Sequence, residues 1–207
     1  MGNRESQFKN LKKSFEILEP KDKPHILEFG VAAGRSLKYI TEFGGDNYKY
    51  YGFDSFIGLL EDWKVTKDEK NKLVAPSSSF CYKGNIPDIP NVKFFKGFFN
   101  ETLPDYLEIA ENIALLHMDV DLYSSAKEVL LSLNDFIVPG TVIVFDEWVY
   151  NHNKYYDDHE AKAFYEWVEE KNREYLFIDF LGEFDSQVID GEWVKQDVEQ
   201  KTVKIVK

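Results

Sequence analysis

The sequence predicts an α/β protein built on a doubly wound, mostly parallel sheet with an antiparallel strand at its edge. Three observations carry this reading. Short apolar strands alternate with helix-period segments from residue 25 to residue 181. Two of the strands, 113–118 and 141–145, are almost wholly apolar, as strands covered on both faces are. The last two strands follow one another with no helix between them, which turns that end of the sheet antiparallel.

Phe8, Leu11, Phe15 and Leu18 recur every three or four residues and predict an amphipathic helix that stops near Pro20. That helix is suited either to cover the sheet edge or to face a second copy of the chain. A strand over 25–29 runs into Gly30, a helix over 36–43 is halted by Gly44 and Gly45, and a strand over 48–53 leads to Asp54. Residues 56–90 carry Pro76, Pro87, Pro90 and three consecutive serines, and are expected to form a loop or lid inserted in one domain spanning 1–207. A strand follows over 92–96, then a helix over 103–112 with Pro104 in its first turn. The strand at 113–118, a helix at 124–136 and the strand at 141–145 come next. A helix at 160–171 should turn Ala161, Phe164, Tyr165 and Val168 inward, and a strand at 175–181 precedes an alternating edge strand at 202–206.

Composition narrows the class of partner. The 207 residues carry a net charge of -12, which argues against gripping nucleic acid or an anionic membrane, since those partners need neutralising Lys and Arg. No run approaches a membrane span, the N-terminus lacks the apolar core of a secretion signal, and one cysteine leaves no internal disulfide. The expected location is cytoplasmic.

In sheets of this kind ligands bind beyond the carboxyl ends of the strands, and the informative residues stand there. In the turn Glu28-Phe29-Gly30-Val31-Ala32-Ala33-Gly34, Gly30 permits a tight bend and Gly34 lets a ligand approach as the next helix starts. Alone, the turn serves equally as an ordinary strand-to-helix connection. Asp54, 24 residues beyond Gly30, can accept hydrogen bonds from ribose hydroxyls or cap a helix. Asp119 and Asp121 follow one strand and Asp146 and Glu147 the next, with Asp119 and Asp146 standing 27 residues apart. That spacing fits one crossover helix between adjacent parallel strands, so these carboxylates should converge. Crowded carboxylates repel unless a cation relieves them, and an all-oxygen set suits Mg²⁺. The bland alternative has one of them capping a helix and the rest facing water.

Four strings together carry a resemblance: Glu-Phe-Gly-Val-Ala-Ala-Gly-Arg-Ser (28 to 36), Gly-Phe-Asp-Ser-Phe-Ile-Gly-Leu (52 to 59), His-Met-Asp-Val-Asp-Leu-Tyr-Ser-Ser (117 to 125) and Pro-Gly-Thr-Val-Ile-Val-Phe-Asp-Glu (139 to 147). Over about residues 25 to 180 they closely resemble the macrocin O-methyltransferase family of class I methyltransferases. The resemblance implies a Rossmann-like methyltransferase sheet of seven strands, S-adenosylmethionine as methyl donor, and Mg²⁺-dependent methylation of a small-molecule hydroxyl, in the best-known members on a sugar of a natural product. It implies that Glu28, Gly30, Gly34 and Ser36 border the methionine part of the donor, that Asp54 with Ser55 takes the ribose, and that Phe99 and Asn100 meet the adenine. Asp119, Asp146 and Glu147 match the metal-ligand positions, with Asp119 also beside the donor. Family members commonly carry Asp-Asp where this chain has Asp146-Glu147. Metal-dependent catechol methyltransferases are similar in layout, but Leu122 stands where they carry a Lys base.

Methyl transfer to oxygen requires an activated hydroxyl held in line with the methyl group. The candidate bases are His152 and His159, which follow the acidic pair, with Asp121 as an alternative; His117 lies in an apolar strand and is expected to pack there. Trp63, Trp148, Tyr150, Tyr155 and Tyr156 either cover a flat acceptor or pack the insertion on the domain. Competing readings are an NAD-dependent oxidoreductase, disfavoured by Ala32 and Ala33 in the turn and by the lack of a Tyr-x-x-x-Lys pair, and a non-catalytic binding module.

Overall fold

The structure, a computed structural model, describes residues 8–19, 24–65, 72–148, 159–178, 186–189, 192–195 and 200–207. Its elements run α1 (Lys9–Ser14), β1 (His25–Phe29), α2 (Arg35–Gly44), β2 (Lys49–Asp54), β3 (Trp63–Val65), β4 (Lys72–Ala75), β5 (Val92–Lys96) and α3 (Phe99–Leu107). They continue with β6 (Ile113–Met118), α4 (Tyr123–Ser132), β7 (Val142–Phe145), α5 (Glu160–Glu170), β8 (Tyr175–Ile178), β9 (Ser186–Ile189), β10 (Glu192–Lys195) and β11 (Lys201–Ile205). No helix among the described residues is long and apolar enough to cross a membrane.

Seven strands form one sheet in the order β5-β2-β1-β6-β7-β11-β8. The first five are mutually parallel, and β11 runs antiparallel to both β7 and β8. The antiparallel strand expected at the edge is thus one position in, and β8 forms the edge. The reason is geometric: β8 arrives from a crossover helix and runs parallel to β7, leaving a gap that only an antiparallel return can fill.

Alternate residues of the strands feed two cores. Ile26, Tyr50, Leu115, Val142 and Val144 pack with Leu11 of α1 and Ile40 of α2 on one face. Leu27, Phe29, Phe53, Phe95, Leu116 and Phe145 pack with Leu103, Tyr106, Val129, Phe164 and Trp167 of α3, α4 and α5 on the other. Helix α1 therefore covers a sheet face, not the edge. Phe29, Phe53 and Phe95 stand in register on β1, β2 and β5 and stack at 4.3 and 4.8 Å between ring centroids. This ladder stiffens the strand ends that reach the site.

Three local expectations shift. Helix α3 starts at Phe99 because the Glu101 carboxylate reaches back to the Phe98 N–H (3.2 Å), which places Pro104 in mid-helix. On α5 the buried residues are Glu160, Ala161, Ala163, Phe164 and Trp167, while Tyr165 is exposed, so the apolar stripe is turned by one position. Within 56–90, β3 and β4 form an antiparallel hairpin. The fully buried Phe56 pins the segment to Val31, Leu37 and Ile89 beside the glycine turn.

Candidate active site

The chain leaves β1 for β2 and β5 on one side, then returns to place β6 on the other side of β1. The strand order therefore reverses between β1 and β6, the position where open α/β sheets bind ligands. Gly30 and Asp119 end these two strands, tied by the Asp119 N–H donating to Phe29 O at 3.0 Å. A Cβ on Gly30 would lie 1.7 Å from the Asp119 carbonyl oxygen, so only glycine permits this approach; its φ is +89°.

A cavity of about 440 Å³ opens at this point. Gly30, Asp54, Ser55, Phe99, Asn100, Asp119 and Glu147 line it, as do Asp121 and Trp63. Asp54 accepts backbone N–H groups from Ala32 (2.7 Å) and Phe56 (2.6 Å), which ties the glycine turn to the start of the insertion. Burial raises its pKa, partly offset by those bonds. The Ser55 hydroxyl donates to Gly58 O at 2.6 Å and accepts from the Ile57 N–H at 3.1 Å, shaping the same corner. Phe99 sets its ring edge-on to Phe29 at 5.1 Å.

Three of the expected donor-site residues stand behind the cavity wall. Glu28 is fully buried, and its carboxylate accepts from Ser36 Oγ (3.0 Å) and pairs with His117 Nδ1 (2.9 Å). Gly34 turns toward Ile89 and Pro87 of the insertion, where a Cβ would come within 2.7 Å, so close packing of protein on protein accounts for it. His117 lies in the core as its strand suggested, yet it is not a bland filler. Burial alone would lower its pKa, but the Glu28 bond and the charges of Glu28, Asp146 and Asp119 outweigh that and push it up to about 9.

The acidic residues do converge. Strands β6 and β7 are adjacent and parallel, and one oxygen each from Asp119, Asp146 and Glu147 lie within 4.8 Å of one another. Asp146 Oδ1 also accepts from Gln200 Nε2, and His117 Nε2 stands 4.0 Å from the same oxygen. Burial and the Asp146 charge raise the pKa of Asp119 well above the carboxylate range, with His117 opposing. Asp121, nearly buried at φ +60°, is raised to about 7 by burial and by Asp146 and Asp54. Three crowded hard oxygen donors fit a divalent cation, which would relieve that repulsion.

His159 gives its Nε2 to the Trp63 indole N–H at 3.1 Å and stands outside the cavity lining. His152, Tyr150, Tyr155 and Tyr156 lie outside the described residues. Trp148 does not face the cavity; its ring packs against Phe145 and Phe164 at 5.1 and 5.5 Å. Sequence reasoning passed over Arg35, Ser124, Ser125 and Glu128, which also line the cavity. Arg35 is the sole cationic side chain among the lining residues, against Asp54, Asp119, Asp121, Glu128 and Glu147. Its position just after Gly34 was the available signal.

A sequence model of the family described as Macrocin-O-methyltransferase (TylF) matches residues 5–165. The chain belongs to this family. It is therefore an S-adenosylmethionine-dependent O-methyltransferase, and the family match begins well before the first strand and ends within α5. Solved structures share the fold of this macrocin-type methyltransferase. The O-methyltransferase NovP aligns over 97% of this chain and 80% of its own at 18% identity, with a TM-score of 0.62. CalS11, a calicheamicin methyltransferase, aligns over 96% and 78% at 18% identity and a TM-score of 0.61. TomG from Streptomyces achromogenes, an O-methyltransferase involved in tomaymycin synthesis and solved with S-adenosylmethionine, aligns over 98% and 80% at 14% identity and a TM-score of 0.53. No curated protein matches the chain by sequence.

Proposed function

We propose that this methyltransferase methylates a hydroxyl of a small molecule, a sugar or another natural product, with a divalent cation held by Asp119, Asp146 and Glu147. The observation that carries the reading is the convergence of those three carboxylates beside the glycine turn. The roles of CalS11 and TomG, in calicheamicin and tomaymycin chemistry, favour a natural-product acceptor.

Gly30, Asp54, Phe99 and Asn100 would hold the methyl donor in the cavity they line. Asp54 keeps carboxylate lone pairs for the ribose beyond those used by Ala32 and Phe56. Phe99 offers a stacking face to the adenine and Asn100 a polar contact. Glu28 and Ser36 act at one remove, since their side chains bond each other and His117 behind the wall. Arg35, the cationic side chain among the lining residues, would pair with the donor's carboxylate.

In methyl transfer the acceptor oxygen forms a bond to the methyl carbon as the carbon–sulfur bond breaks, and the acceptor's proton leaves. A bound Mg²⁺ supplies the Lewis acidity that lowers the hydroxyl pKa and orients it. Asp121 takes the proton: it lines the cavity, and burial raises its pKa above the ordinary carboxylate value. Trp63 and Tyr82 wall the space left for the acceptor.

Calorimetric titration with S-adenosylhomocysteine and with NAD tests the donor site: binding of NAD but not S-adenosylhomocysteine would sink the reading. Methyl transfer from labelled S-adenosylmethionine to a panel of glycosylated acceptors tests the reaction. Asp119→Ala should abolish Mg²⁺-dependent turnover while leaving S-adenosylhomocysteine affinity nearly unchanged, and full activity in chelator refutes the cation.

A further inference from the structure

We infer that Glu160 is a positioning residue that sets the separation of the two carboxylate-bearing strand ends. The inference rests on the cation site proposed above. Glu160 opens α5 and is fully buried. Its Oε1 accepts the Val120 N–H at 3.0 Å and its Oε2 accepts the Glu147 N–H at 3.2 Å. Val120 lies between Asp119 and Asp121 beyond β6, and Glu147 follows Asp146 beyond β7.

The pairing of β6 with β7 runs out at Met118 and Phe145, and one further backbone bond, from Asp146 N to Met118 O at 2.8 Å, closes the ladder. Past that point two strand tips carry Asp119, Asp121, Asp146 and Glu147, whose crowded carboxyl groups repel one another when ionised. One side chain with two acceptor oxygens, each taking an amide from a different tip, holds them at a fixed spacing. A carboxylate is the side chain with that reach and two acceptors.

The choice of residue supports this over simple filling. A further acid buried beside Asp119, Asp146 and Glu147 is unfavourable, and an apolar side chain would fill the space without that cost. What the acid adds is satisfaction of two amides at once. Burial, with the charges of Glu147, Asp119 and Asp146, raises the Glu160 pKa, and the Val120 N–H opposes that shift. The preceding residue extends the same device, since His159 accepts from Trp63 of β3 at 3.1 Å. One turn of α5 thereby registers the acidic cluster against the wall of the acceptor space.

The test is Glu160→Gln, which keeps size but leaves one acceptor oxygen, together with Glu160→Asp, which keeps the carboxyl group but loses span. Calorimetry would measure Mn²⁺ binding to the S-adenosylhomocysteine-loaded protein, and S-adenosylhomocysteine binding without metal. Both variants should weaken Mn²⁺ binding by roughly 10- to 100-fold with S-adenosylhomocysteine affinity unchanged. Parent-like Mn²⁺ affinity in Glu160→Gln overturns the inference. Full affinity in Glu160→Asp overturns it also, by showing that the reach to both amides is not needed. Joint loss of both ligands in the two variants overturns it in favour of a folding role. Failure of the unsubstituted protein to bind Mn²⁺ or S-adenosylhomocysteine is a separate outcome and sinks the proposed function instead.

Discussion

Replacing Gly30 by alanine probes the point where the donor turn meets the acidic strand end. The new Cβ would stand 1.7 Å from the Asp119 carbonyl oxygen and 2.7 Å from its carbon, both backbone atoms. Restoring even a tight contact forces the Asp119 backbone back by about 1.3 Å, an overpacking cost of about 1–3 kcal/mol. The positive φ adds about 1–2 kcal/mol for a residue with a Cβ. The sum is on the order of 4 kcal/mol, or a melting temperature lower by roughly 8–16 °C at about 2–4 °C per kcal/mol for a chain of this size. The displacement also carries Asp119 out of place, and misplacement on the order of 1 Å costs about 100-fold in rate. Gly84→Ala is the control: Gly84 shares a positive φ, +74°, but its Cβ would meet only the flexible end of Lys96 at 3.0 Å. It should lose about 1–2 kcal/mol and keep its turnover. Thermal denaturation and methyl transfer below both transitions measure the pair. A Gly30→Ala protein as stable and active as Gly84→Ala would refute the reasoning.

Other consequences are open to measurement. Asp121→Asn should lower kcat by about 10²- to 10⁴-fold, measured with saturating Mg²⁺, and an unchanged kcat excludes Asp121 as base. Arg35→Gln should weaken S-adenosylhomocysteine binding by about fivefold, the scale of a partly exposed ion pair, while leaving 5′-methylthioadenosine, which lacks the carboxylate, unaffected. Equal loss for both ligands would remove Arg35 from that role. At the opposite end of the sheet, burial lowers His25 to about 4 against Glu111, and its Nδ1 is held by Tyr106 Oη at 2.9 Å. A folded pKa below the unfolded value means its contribution is present above pH 6.5 and is lost as pH falls toward about 4, at most about 3 kcal/mol. Urea denaturation at pH 7.5 and 4.5 should show that loss in the parent and a smaller one in His25→Gln; equal losses contradict it.

Most of what ends a strand was legible in the chain. Gly30, Asp54, Asp119 and Asp146 announce themselves because a parallel sheet makes each apolar run stop at the same face, so the residue after it is placed by local pattern alone. The 27-residue interval between Asp119 and Asp146 was enough to bring their carboxylates together, since one crossover helix joins neighbouring strands. The family strings followed from the same positions.

What escaped the sequence depends on which distant side chains meet. The sequence offers Glu160, at the start of its helix, as a residue able to reach the site, but only when α5 is laid across β6 and β7 does its carboxyl group meet two amides from different strand ends. His117 looks like a packed strand residue until Glu28 and Asp146 surround it. Gly34 proved to be packed beneath Ile89, and Trp148 within the core of α5, because those contacts arise from the insertion and the crossover helix and not from local period. The position of β11 between β7 and β8 has the same origin. Strand identity is a property of a few neighbouring residues, whereas pairing, burial and charge environment belong to the packed whole.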